Sequence, residues 1–414
     1  MKNKIILISH DFAVAGAEIS LLQIAKILNV KNEIEVYSLD SGPLIDEYNK
    51  IGIKCTIINK ALNLYDYILN FFDAKLVIVN TVIPSIFVDI FERYKIPYIW
   101  LIREGSNIPE YYNKSYKLKE TICKSKNIYA TSEYAKNYID KNFNQNVKVL
   151  HNYVPDLFKD KKFIHKKILK EKLSFSIVGY IDKRKAQDIC IKAFNDLPQN
   201  LKDKCQLNII GNIKNINNSY LKDYYEVTKN KKMFNWTGLL TDEIKQKYFQ
   251  ETDVFIVPSL DESCSRIVLE AMMLGKPVII SKNVGAKYMI TTETGWIVET
   301  GDIKSLTDCV ASIIRNPEQL IKMQIKTREM YLKTSTEEIY KENLFKIINF
   351  HLSKEKNFKL FKTIKKMGII IKIKTKCLKK IFSIENHQSK NKKWYKVVTI
   401  LGIKFSFRNK HKEQ

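Results

Sequence analysis

Short apolar runs alternate with amphipathic stretches along the first 350 residues. The runs at 5–9, 33–39, 54–58, 76–79, 98–102, 127–132 and 147–150 are mostly apolar and four to seven residues long. Runs of that length predict buried strands. Between them the period changes. Over 17–28, Ile19, Leu22, Ile24, Ala25, Ile27 and Leu28 recur as on one helix face, and 133–143 reads as a further helix. The longest apolar stretch, 76–91, is broken by Asn80, Pro84 and Asp89, which predicts a strand and then a helix start. Strand followed by helix, repeated, implies an α/β fold with a parallel, doubly wound sheet. Residues 156–173 are mostly charged and polar and read as a connection between domains. A second series then begins, with strands at 175–178, 206–210, 234–240, 254–257 and 278–280. Helices are expected at 242–249, 303–315, 318–334 and 336–352.

The most informative stretch is 258–281. An apolar strand ends at Pro258-Ser259. A polar loop follows with Glu262, Ser263, Cys264 and Ser265. A helix carrying Glu270 runs to the stop Gly275-Lys276-Pro277, and a strand leaves it. A helix start presents unpaired N–H groups and a partial positive charge, so it suits phosphate. Ser263 and Ser265 are small enough for close backbone approach, and Ser265 is a candidate N-cap. Glu262 and Glu270 flank that start. A ligand with hydroxyls at both ends of a diphosphate, a nucleotide sugar, fits such a pattern. Taken alone, the same residues also describe a surface loop and an amphipathic helix.

Glu262, seven residues, Glu270, then Ala271-Met272 and Gly275-Lys276-Pro277-Val278 resemble family 4 of the retaining glycosyltransferases, which act in bacterial polysaccharide and glycolipid biosynthesis and have the GT-B fold. The resemblance spans about residues 1–350 and is tighter in the second half. It implies two doubly wound Rossmann-like domains facing a cleft: 1–155 on the acceptor side, a linker at 156–173, and 174–335 for the donor. A crossover helix at 336–353 and a basic extension at 354–414 complete the division. It also implies that Glu262 contacts the donor sugar and Glu270 holds the ribose hydroxyls. Lys185 matches the family's diphosphate-binding lysine. The family's arginine after Gly179 is Tyr180 here, and Arg184 is a substitute for its charge; a solvated turn is the plainer reading of Lys183-Arg184-Lys185. Gly16 keeps one glycine of the family's Gly-Gly loop near the diphosphate, and an ordinary βα turn explains it equally. Gly238 and Leu239 fall where backbone meets the base. Arg103 stands where the family often has a histidine near the reacting carbon, as a partner for phosphate or an anionic acceptor. The stretches Gly285-Ala286 and Thr294-Gly295-Trp296 resemble closing loops. The expected catalytic set is thus Glu262, Lys185 and Arg103. Donor contacts are expected from Gly16, Arg184, Lys185, Gly238, Leu239, Glu262, Ser263, Cys264, Ser265 and Glu270.

Composition narrows this further. Seven scattered cysteines without a Cys-x-x-Cys pair argue for reduced thiols and against a zinc or disulfide framework. Cys264 reads as a small filler. There is no Gly-x-Gly-x-x-Gly, no P-loop and no Asp-x-Asp. No cofactor and no metal are therefore expected, with Lys185 and the helix start neutralising a UDP- or GDP-sugar diphosphate. The net charge of +26 is uneven: residues 354–414 hold 19 Lys plus Arg and 3 Glu, a net of +16. There Lys359-Leu360-Phe361-Lys362 with Met367-Gly368-Ile369 is echoed by Lys393-Trp394-Tyr395-Lys396 with Leu401-Gly402-Ile403. Each copy ends in strand-like alternation, Ile371-Lys372-Ile373-Lys374 and Phe405-Ser406-Phe407-Arg408. The first copy also fits a helix. Basic residues with interleaved aromatics suit an anionic membrane surface; a disordered tail and nucleic acid compete, and nucleic acid is not the expected partner.

The resulting expectation is a transferase moving a sugar, with retention, to a lipid-linked or polysaccharide acceptor. It would be cytoplasmic and peripheral on the inner face of the plasma membrane. The alternatives are a nucleotide-sugar epimerase or hydrolase of the same fold, and a non-catalytic basic binding protein.

Overall fold

The computed structural model describes residues 2–58, 65–115, 117–159, 163, 172–214, 216, 219–353, 382–388, 394–400 and 403–408. The first seven strands are β1 (Asn3–Ser9), β2 (Asn32–Ser38), β3 (Lys54–Ile57), β4 (Leu76–Asn80), β5 (Tyr98–Ile102), β6 (Ile128–Ala130) and β7 (Lys148–Val149). They form one sheet in the order β3-β2-β1-β4-β5-β6-β7. Every pairing is parallel, with Ile5 of β1 opposite Ile34 on one side and Leu76 on the other. The second sheet contains β8 (Leu173–Val178), β9 (Cys205–Ile210), β10 (Phe234–Gly238), β11 (Val254–Val257), β12 (Val278–Ser281) and β13 (Gly295–Val298). Its order is β10-β9-β8-β11-β12-β13, again all parallel. Two doubly wound Rossmann-like domains are therefore present. The segment 295–298, expected as a closing loop, is an edge strand paired with β12. Its alternation is too short to stand out in the sequence.

The apolar runs are strands because both of their faces are covered. Leu76–Asn80 and Tyr98–Ile102 are buried at every residue, as are Val254–Val257 and Val278–Ser281. Helices supply the cover. Gly16–Asn29 buries Leu21, Ile24 and Leu28 on the first sheet. Arg266–Met273 buries Val268, Leu269 and Met272 on the second. The helix Gln319–Thr334 also packs there through Tyr331. The following helix, Glu337–Ser353, instead puts Tyr340, Leu344 and Ile348 into the core of the first sheet.

In an open parallel sheet, ligands bind at the carboxyl ends of strands where the order reverses. The reversals here lie between β1 and β4 and between β8 and β11. The loops leaving those strands hold most of the candidate residues.

The last unit is described by itself. Strands β14 (Phe382–Gln388), β15 (Trp394–Ile400) and β16 (Ile403–Arg408) form an antiparallel sheet in that order. The second repeat copy is thus strand, its Phe405-Ser406-Phe407-Arg408 lying in β16. The first copy lies outside the described residues, as do most of 156–173 and Cys377. Among the described residues, no helix is long and apolar enough to cross a membrane.

Candidate active site

The loop after β11 is fixed by its own domain. Leu260 N donates to Arg184 O at 2.8 Å and Glu262 N to Asn283 O at 3.0 Å, while Gly285 N donates to Glu262 O at 2.7 Å. Gly285 has to be glycine: a Cβ there would lie 1.9 Å from Ser263 O and 2.4 Å from Ser132 Oγ. The helix Arg266–Met273 then begins, with Ser265 as its N-cap residue, but the Ser265 side chain makes no capping bond. The helix ends at Gly275, whose φ of +65° closes the last turn.

Glu262 is the meeting point of charge. Its side chain is 13% exposed, and its Oε2 accepts from Lys185 Nζ and, at 3.1 Å, from Arg184 Nη1. Arg184 Nη1 also donates to Asp261 O at 2.9 Å. These cations come from a half-exposed turn, Lys183–Lys185, that is fixed by local bonds. Asp182 caps it, its Oδ1 accepting from Arg184 N at 2.7 Å. Gly179, at φ +152°, lies where a Cβ would touch the Lys185 stem at 3.7 Å. Lys185, Arg184, Glu262 and the helix start are therefore brought together, as the sequence pattern implies. Cys264 lies beside them, and burial pushes its thiol up to about 12, so it stays protonated.

Glu270 is 14% exposed and both its oxygens face cations, Arg266 Nε at 2.9 Å and Lys245 Nζ at 3.1 Å. Arg266 Nη1 reaches Gln23 Oε1 of the first domain at 3.3 Å. A cleft of about 260 Å³ lined by Lys245, Arg266, Glu270 and Val154 opens there. Gly238, at φ +72°, ends β10, and Leu239 beyond it is 73% exposed. Gly16 starts its helix with open space around the Cβ position. Tyr180, in place of the expected arginine, reaches across so that its hydroxyl donates to Val14 O at 3.0 Å.

On the first-domain side, Arg103 leaves β5. Its Nε donates to Asn80 Oδ1 at 2.9 Å, its Nη1 to Asn152 Oδ1, and its carbonyl accepts from Ser263 Oγ. The guanidinium is thus tied into the protein, with Nη2 buried and unbonded. Sequence reasoning passed over its neighbours. Glu104 is buried, accepts from Arg103 N at 2.9 Å and Val82 N at 3.2 Å, and is pushed up to about 7 by burial. Glu18 is 3% exposed and is likewise raised to about 7 by burial. His10 Nδ1 lies 3.3 Å from Glu18 Oε1 and its Nε2 3.3 Å from Asp11 Oδ2, while burial lowers its own value. These three are the one group among the described residues whose ligand atoms lie close enough together to hold a metal ion, though both His10 nitrogens already face carboxylates. Two charged residues in a row, Arg103 and Glu104, directly after a strand that is buried throughout were the available signal for Glu104.

Residues 158–330 match the family model described as "Glycosyl transferases group 1". The chain is 29% identical over 158 residues to the capsular polysaccharide biosynthesis glycosyltransferase CapM of Staphylococcus aureus, covering 37% of this chain and 40% of CapM. It is 26% identical over 311 residues to the uncharacterized glycosyltransferase MJ1069 of Methanocaldococcus jannaschii, covering 69% and 71%. The match thus spans less than half of CapM's length. The fold is similar to that of Anabaena Alr3699/HepE, solved in complex with UDP-glucose: the TM-score is 0.70 at 15% identity, over 85% of this chain and 99% of that one. The fold is GT-B, and the match to the group 1 glycosyltransferase model falls largely on the second Rossmann-like domain.

Proposed function

We propose that this protein is a retaining glycosyltransferase that moves a hexose from a UDP- or GDP-sugar to a lipid-linked or polysaccharide acceptor. The convergence of Lys185 and Arg184 on Glu262, beside a helix start, carries the reading. Two fixed cations and a row of N–H groups stabilise the charge that develops on a departing diphosphate. Glu262 offers the sugar hydroxyls an acceptor, and Glu270 offers one to the ribose. With its diphosphate neutralised by protein groups, the reaction needs no divalent metal and no cofactor. The HepE complex with UDP-glucose favours a uridine donor, and the CapM likeness favours a polysaccharide acceptor. Arg103 stands on the acceptor side.

Residues 354–414 would hold the enzyme to the cytoplasmic face of an anionic membrane. The sheet register supports this. Ile384, Val398 and Phe405 are register partners across the three strands, as are Phe382, Ile400 and Ile403. The +16 charge of the segment draws it to anionic lipid.

Incubating the purified protein with labelled UDP-glucose or GDP-mannose and a membrane extract, with and without EDTA, tests the reaction. Label entering lipid or glycan in both conditions is the expected result.

A further inference from the structure

Asp261 and Ser263, the residues on either side of Glu262, are held from outside their own domain. Tyr134 Oη donates to Asp261 Oδ1 at 2.6 Å, and Ser132 Oγ donates to Ser263 O at 2.5 Å. Ser263 Oγ donates to Arg103 O. The three partners come from the first domain: Arg103 from the loop after β5, Ser132 from the loop after β6, and Tyr134 from the first turn of the helix that follows it. Ser132 works twice, since its Oγ also accepts from Ala135 N at 3.2 Å and caps the helix Glu133–Phe143. A hydroxyl has one proton to give and lone pairs to receive, so both bonds are satisfied at once. Gly105 brings first-domain backbone close, a Cβ there lying 3.5 Å from Asp261 Oδ1. From the other side Arg184 grips Asp261 O. The peptide bearing Glu262 is thus clamped between Arg184 of its own domain and Tyr134 and Ser132 of the first.

We propose that Tyr134 and Ser132 are positioning residues for Glu262: the first domain sets the donor-sugar carboxylate through Asp261 and Ser263. The inference rests on the glycosyltransferase reading above. The cations and helix start that would take the diphosphate lie in the second domain, so nucleotide affinity is separable from sugar placement. Tyr134 touches no reacting atom; it acts through Asp261.

The test is the full-length protein carrying Tyr134→Phe, Asp261→Ala, Asp261→Asn or the Tyr134→Phe/Asp261→Ala pair. UDP affinity is read by calorimetry and turnover by UDP release from UDP-glucose. The expected result is UDP affinity within about twofold of wild type and kcat lower by roughly 10- to 100-fold, the factor a hydrogen bond to a charged group carries. The pair should be no slower than either single variant, as for two residues acting through one contact. Asp261→Asn keeps an oxygen for the tyrosine and should restore most of the rate. Unchanged kcat in Tyr134→Phe, or UDP affinity and kcat falling together with melting temperature, would overturn the clamp alone. Wild-type protein that neither binds UDP nor releases it from UDP-glucose would overturn the donor reading, and the clamp as a donor device with it.

Discussion

Lys185 Nζ donates to Glu262 Oε2, so the cation that would take the diphosphate is paired with the carboxylate that would take the sugar. The pair is mostly buried, at 18% and 13% side-chain exposure, so water screens it little. Donor binding has to compete with this pair. Glu262→Gln frees Lys185 and Arg184, and UDP should bind more tightly, by about threefold to tenfold, while turnover falls by about 100-fold or more. Calorimetry with UDP checks the first effect and UDP release from UDP-glucose the second. Weaker UDP binding in the variant would mean that Glu262 helps to hold the diphosphate and does not compete with it.

Glu104 carries the clearest pH dependence. Its carboxyl is raised from 4.5 to about 7, so between those values the folded protein keeps a proton that the unfolded chain has released. This group's stabilisation is therefore complete below about pH 4.5 and is lost as pH rises through 7. At about 1.4 kcal/mol per unit, the loss is on the order of 3 kcal/mol. Glu104→Gln keeps an oxygen for the Arg103 and Val82 amides and does not titrate. Its denaturation midpoint, relative to wild type, should rise between about pH 5 and pH 8. A constant difference across that range would show that Glu104 is not the titrating group.

Cys264 is partly buried, and burial pushes its thiol up to about 12, whereas Cys123 is exposed. Iodoacetamide at about pH 8 should label Cys123 and leave Cys264 unmodified, since the thiolate is the reacting form. Cys264→Ala should retain turnover. Peptide mass mapping and a UDP-release assay check the two halves.

Gly285→Ala would drive a methyl group against Ser263 O and Ser132 Oγ. The loop has to move, which should cost about 1–3 kcal/mol and displace Glu262. Melting temperature and turnover should both fall. An unchanged protein would show that the loop yields freely.

Most strands of the two parallel sheets, β13 apart, were readable because each is a short apolar run between turn residues, and their parallel order follows from the intervening helices. Glu262 and Lys185 were readable because two local motifs carry them. The clamp was not. Tyr134 and Asp261 are 127 positions apart, in segments with no shared period, and only the docking of two domains joins them. Arg266 and Glu270 are four apart on one helix, a spacing that does predict a pair. Helix or strand could not be chosen for the tail because Lys and Ile alternate in a way that suits both periods.

The central claim is a nucleotide-sugar site around Glu262, Lys185 and Glu270. The most direct test is thermal shift with a panel of UDP- and GDP-nucleotides and their sugars, without metal, on the wild type and Glu270→Ala. The site predicts that one nucleotide class stabilises the wild type and that the shift is lost in the variant. No shift with any nucleotide, or an equal shift in Glu270→Ala, would contradict it.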